Sequence, residues 1–113
     1  MEAKELRIGN YLHDRNGNLC KVIELRQDGI YAPAINKAIT GLPNKPIELT
    51  EEWLLNFGFT MDDSVWKRRY IKLFPIRDLY FRANMPIVKD IRYVHEVQNL
   101  FFALTGEELT IKS

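Results

Sequence analysis

One cysteine and two histidines among 113 residues leave this chain little with which to build thiol or metal chemistry. With Cys20 alone, no internal disulfide can form. No Cys-x-x-Cys or His-x-x-x-His spacing occurs, so a metal site has no basis in the sequence and no cofactor is expected. His13 and His95 belong to no local catalytic motif. A Cys20–His13 pair across a hairpin is geometrically open, but it would lack a third group to orient it. A thiol inside an apolar strand is more often an inert core side chain. Glycine is scarce and scattered: Gly9, Gly17, Gly29, Gly41, Gly58 and Gly106 stand singly, each at a turn or cap, and none builds a phosphate-cradling loop. No apolar run approaches the ~20 residues that span a bilayer. The charged start Met1-Glu2-Ala3-Lys4-Glu5 is not followed by the apolar stretch of a signal peptide. Together these absences lead to the expectation of a non-enzymatic, soluble, cytoplasmic protein without membrane contact.

The chain does have a full complement of core-forming residues. A hydrophobic fraction of 46% with 27% charged residues is ordinary for a globular protein. Residues 1–113 are expected to form a single domain, large enough to bury a core without disulfides or metal. The net charge is only +1, but it is unevenly spread. Residues 1–63 carry seven Lys/Arg against ten Asp/Glu, residues 64–92 eight against two, and residues 93–113 one against three. The middle segment is therefore strongly basic and can attract anions locally, because the field follows the distribution of charge.

The patterning predicts an α+β fold: a curled antiparallel sheet with an SH3-like N-terminal meander, one short helix and one longer C-terminal helix. Tyr11–His13 and Leu19–Leu25 flank Asn16-Gly17, a strong hairpin signal because both residues accept positive φ. Asp28-Gly29 marks a second turn before a third strand, Ile30–Ala32. Residues 33–46 hold Pro33, Gly41, Pro43 and Pro46 and read as a long loop, either a plain surface excursion or a functional segment. Thr50 can cap a helix over about 50–57, with Glu51 and Glu52 complementing its N-terminal partial charge and Gly58 suited to its end. Trp53, Leu54 and Phe57 share one face of it. Phe59–Phe81 reads as two or three strands, with a turn at Asp62-Asp63-Ser64, Pro75 ending a strand or marking an edge, and Met85-Pro86-Ile87 a break. The last helix, about 93–105, carries an apolar stripe of Val94, Val97, Leu100, Phe101 and Leu104. Its other side presents His95, Gln98, Asn99 and Phe102. Leu109–Ile111 could add an edge strand.

The basic segment contains Trp66-Lys67-Arg68-Arg69-Tyr70-Ile71-Lys72-Leu73-Phe74. Read as one strand, it sets Trp66, Arg68, Tyr70, Lys72 and Phe74 on a single face. Rings alternating with cations can stack on bases and neutralise phosphates. The candidate ligand-binding residues are Trp66, Arg68, Arg69, Tyr70, Lys72, Arg77 and Arg82, and the candidate ligand is a nucleotide or nucleic acid. The competing reading makes Trp66, Tyr70 and Phe74 core, with Arg68 and Lys72 extending past them to water. No catalytic residue is assigned.

Three blocks carry a family resemblance: Glu5-Leu6-Arg7-Ile8-Gly9-Asn10-Tyr11-Leu12, Pro46-Ile47-Glu48-Leu49-Thr50-Glu51-Glu52-Trp53-Leu54-Leu55-Asn56-Phe57-Gly58-Phe59, and Tyr93 to Leu109. In this order they resemble a family of short uncharacterised proteins encoded by phages, prophages and related mobile elements of anaerobic gut bacteria. The resemblance implies no activity, cofactor or catalytic residue. It does imply a setting, the host cytoplasm, where phage accessory proteins act by binding host proteins, nucleic acid or the nucleotide signals of host defence. The leading expectation is thus sequestration of an anionic ligand by the basic–aromatic segment. The rival is a protein-interaction module, such as an inhibitor of a host protein or a virion-assembly factor, using Phe102 or a sheet edge as part of a homo-oligomer or a complex.

Overall fold

The computed structural model describes the backbone of residues 6–27, 29–69, 71–77, 80–84 and 88–111, with the side chains of those outside 76–89. Among the described residues the fold is α+β, with antiparallel strands in small open sheets and two helices. The chain forms two compact units, Met1–Ile47 and Glu48–Ser113. No helix among the described residues is long and apolar enough to cross a membrane.

In the first unit, β1 (Tyr11–His13) pairs with β2 (Leu19–Lys21), and β3 (Glu24–Arg26) pairs with β4 (Gly29–Tyr31). Gly17 turns between β1 and β2 at φ 84, the left-handed state that Asn16-Gly17 predicts. The expected continuous strand Leu19–Leu25 is broken. At Val22 the amide donates to the carbonyl of Asn10, and at Ile23 to that of Tyr31. The chain changes partner within one residue, so the meander becomes two two-stranded sheets and closes no barrel. Leu6, Leu12, Cys20, Val22, Ala32 and Ala34 form the core cluster, with Ile30 packed against it.

The 33–46 segment is fastened to this unit. Ala34 bridges to Cys20 and Lys45 to His13, and the Thr40 hydroxyl accepts from the Ala34 amide at 2.8 Å. Its strongest anchor is Asp14, which is 1% exposed. One carboxylate oxygen accepts from the amides of Asn16 and Asn18 at 2.9 and 2.8 Å. The other accepts from the Asn18 side chain at 3.0 Å and, across 27 positions, from the Gly41 amide at 2.9 Å. A Cβ at Gly41 would lie 2.6 Å from Asn16 Nδ2, so the end of the exposed Asn16 side chain would have to swing aside. The loop runs largely at the surface, as an excursion would, and a buried carboxylate ties it to the first hairpin.

In the second unit, α1 spans Glu51–Asn56. The Thr50 hydroxyl accepts from the Trp53 amide at 3.3 Å, and Gly58 follows the helix at φ 88, as predicted. Leu54 and Phe57 are fully buried, and the Trp53 ring lies 5.4 Å from that of Phe57. Strands β5 (Thr60–Asp62), β6 (Val65–Arg68), β7 (Ile71–Arg77), β8 (Tyr80–Asn84) and β9 (Val88–Ile91) then build one antiparallel sheet in sequence order. Asp63 and Ser64, at φ 51 and 65, make a tight two-residue turn whose twist suits a hairpin. Pro75 does not end a strand. It sits inside β7 beside a register shift, beyond the last residue that β6 pairs, so its missing N–H breaks no ladder bond on that side. The sequence reading placed no strand at β9. The expected break at Met85–Ile87 lies outside the described residues.

Helix α2 covers Val94–Thr105 and ends at Gly106, φ 75. Glu96 reaches back to the amides of Tyr93 and Arg92 at 2.9 and 3.0 Å, closing the helix start. Val94, Val97 and Phe101 are buried as the stripe predicts. The expectation for the other side fails for two residues: His95 and Gln98 are buried too. His95 stacks on the Tyr93 ring, with 5.8 Å between centres, and for Gln98 the reason is the segment after the helix. Instead of an edge strand, Leu109 is fully buried, and its carbonyl accepts from Gln98 Nε2 at 3.1 Å. Phe102 remains 40% exposed.

Candidate functional site

The basic–aromatic row of the sequence is not one strand. Arg69 adopts φ 55, a left-handed state that ends β6, and the chain reverses into β7. Register then decides which residues share a face. Trp66 stands opposite Leu73, Lys67 opposite Lys72, and Arg68 opposite Ile71. Reversal shifts the parity, so Lys72 lies on the face opposite to that of Trp66 and Arg68.

The first face is core. Ile71 and Leu73 are buried, and Trp66, 3% exposed, offers no ring to a ligand. Arg68 is a clasp: Nη1 donates to the Phe57 carbonyl at the end of α1, and its guanidinium lies 5.0 Å from the centre of the Phe101 ring. For Trp66 the core reading is therefore the correct one, and the candidate role of Arg68 is taken by packing.

The second face carries Thr60, Asp62, Val65, Lys67, Lys72 and Phe74. Lys72 is exposed, while Lys67 and Phe74 are half-buried. Lys67 Nζ reaches Asp62 Oδ2 at 3.0 Å. The register sets Arg82 opposite Phe74, and Asp90 opposite Arg82. Two lysines directly opposed across a hairpin repel each other, and one neighbouring carboxylate offsets only part of that repulsion. Lys67 is not among the seven candidate residues, because the alternating pattern carries no mark of the turn at Arg69 that sets it opposite Lys72.

Arg69 sits in the turn of this hairpin. Its Nη2 is 2.5 Å from Glu107 Oε1, with both side chains about half exposed. Arg77 belongs to β7 and Arg82 to β8, and Tyr70 lies outside the described residues. The β6–β7 hairpin thus sets Lys67 and Lys72 on one face and Trp66 and Arg68 on the other, with Arg69 in its turn.

The Cys20–His13 pair does not form. Cys20 is opposite Leu12 and His13 opposite Leu19, so the two side chains project from opposite faces. Burial, with the charge of Asp14 adding to it, pushes the Cys20 thiol above its ordinary pKa, away from the thiolate that nucleophilic chemistry needs.

Comparison with family models, with curated proteins and with solved structures returns no match for this chain.

Proposed function

We propose that this chain is a non-enzymatic binding protein that holds a single-stranded nucleic acid on the outer face of the β6–β7 hairpin. The observation that carries this reading is the Lys67–Lys72 opposition. Folding brings two like charges face to face, and the backbone phosphates of a bound strand would relieve their repulsion. Phe74, two residues beyond Lys72 on the same face, supplies a ring on which a base can stack. A free nucleotide would need an enclosing pocket, whereas an open sheet face suits a strand lying across it. The resemblance to phage-encoded proteins gives this binding a setting in the host cytoplasm, as a sequestering accessory factor.

The test is fluorescence anisotropy with a 12-nucleotide oligothymidylate over a salt series. The Lys67→Glu/Lys72→Glu double variant should bind at least about 100-fold more weakly at low salt. The slope of log affinity against log salt should become shallower by about 1.4, the loss of two phosphate contacts on a single strand. A folded double variant that binds like the parent would rule the reading out. The ratio of absorbance at 260 and 280 nm of freshly purified protein gives an independent check, because a co-purifying strand raises it.

A second reading, a protein-interaction module, draws on the exposure of Phe102 on α2. Aromatic side chains at solvent are typical contact anchors. In that case Phe102→Asp should abolish self-association or partner capture while leaving the melting temperature within about 2 °C, since a surface change moves stability little. Unchanged assembly and capture by a folded variant would eliminate it.

A further inference from the structure

We infer that Glu107 is an internal counter-anion that occupies Arg69 until a phosphate of the bound strand replaces it. This rests on the nucleic-acid reading above and concerns the regulation of the same hairpin.

Arg69 and Glu107 are 38 positions apart yet meet at 2.5 Å, and both are about half exposed. An ion pair so placed is screened by water and salt, so exchanging its carboxylate is easy. A guanidinium presents the same planar fork to a phosphate as to a carboxylate. Arg69 sits in the turn that joins Lys67 to Lys72, and the remaining cation beside it, Arg68, is already engaged by the Phe57 carbonyl and the Phe101 ring. The Arg69 φ of 55 is a state that glycine or asparagine adopts more readily. The turn therefore does not select for arginine by its backbone geometry.

Glu107 is held close without being locked in place. Its amide donates to the Thr105 hydroxyl at 3.1 Å, and two residues later Leu109 is buried, its carbonyl bonded to Gln98. The backbone on either side of Glu107 is therefore anchored, and only its side chain needs to swing for Arg69 to turn to a phosphate. No element has to unfold for the exchange.

The same anisotropy titration with 12-nucleotide oligothymidylate tests this. Glu107→Gln keeps the shape of the side chain and removes its charge. It should raise affinity about 3- to 10-fold at low salt and leave the salt slope as in the parent, because Arg69 meets the same phosphate in both complexes and only the competing carboxylate is gone. In Arg69→Gln the same Glu107→Gln change should have no effect, because the cation that Glu107 masks is gone. If Lys67→Glu/Lys72→Glu weakens binding but Glu107→Gln binds no tighter than the parent, the role of Glu107 is wrong and the hairpin reading stands. A gain that persists in the Arg69→Gln background also overturns it, because Glu107 would then repel the ligand generally. If neither the parent nor Glu107→Gln binds the oligonucleotide, both inferences fall.

Discussion

Replacing Asp14 by alanine is expected to lower the melting temperature by about 10 °C, an effect of the size that loss of several tertiary contacts produces in a domain of this length. The carboxylate receives four donors, and three of them are backbone amides. Removing it strands the Gly41 amide in a buried site, and an unmet buried donor is worse than an absent bond, while the Asn16 and Asn18 donors lose part-buried bonds. The loss should concentrate on the 33–46 segment, because the Gly41 amide has Asp14 as its acceptor. Hydrogen exchange should then show residues near Gly41 losing protection before those of β6 and β7. If exchange quickens equally throughout the chain, Asp14 is not a local anchor.

The same site fixes the acid behaviour. The Gly41 amide, more than any other group, holds the Asp14 carboxyl down to about 2 from its ordinary 3.8. Burial opposes the shift, while the Asn18 side chain and the Asn18 and Asn16 amides add to it. A folded-state pKa below the unfolded one means the stabilisation is complete above 3.8 and is withdrawn as pH falls from there towards about 2. Asp14→Asn should remove that part of the acid transition and lower stability at neutral pH, since an amide NH2 would face amide donors where a carboxylate oxygen now accepts. If Asp14→Asn and the parent have the same acid limb, the carboxylate is not responsible for it.

The second large effect is expected at Phe101. Its ring is 1% exposed, 6.4 Å from the Phe59 ring, and beneath the Arg68 guanidinium. Phe101→Ala should destabilise the second unit by about 3–5 kcal/mol, a large share of the ~5–15 kcal/mol that holds a typical domain together. It also takes away the ring over which Arg68 lies, so the Arg68 bond to the Phe57 carbonyl should weaken. Urea unfolding followed by tryptophan fluorescence measures the stability loss, because both indoles, Trp53 and Trp66, belong to the second unit. A loss below about 1 kcal/mol would mean the cavity collapses and Phe101 is not the centre of this packing.

Both helices were legible in the sequence because their information is local. Thr50, Gly58 and Gly106 mark ends through their own side chains or lack of one, and Val94, Val97 and Phe101 recur at the helical period. The Asn16-Gly17 hairpin was legible for the same reason. The candidate site was not. Whether Lys72 shares a face with Trp66 or with Lys67 depends on one residue, Arg69, taking a left-handed conformation that its side chain does not favour. A period-two pattern carries no warning of a reversal within it, and one reversal exchanges every partner.

Asp14 makes the same point about distance. Its short-range bonds to Asn16 and Asn18 fit the local turn chemistry of Asp and Asn, but its bond to Gly41 exists only once the chain has returned across 27 positions. Burial of Gln98 likewise required the segment bearing Leu109 to fold back on α2. The sequence by itself determined the α+β class, both helix boundaries to within a residue or two, the first hairpin and the basic character of residues 64–92. Only the tertiary structure decided which cations meet on one face, which aromatic rings are core and which carboxylates hold loops. Those are pairings between distant residues, set by strand register and chain return, and local residue preferences do not encode them.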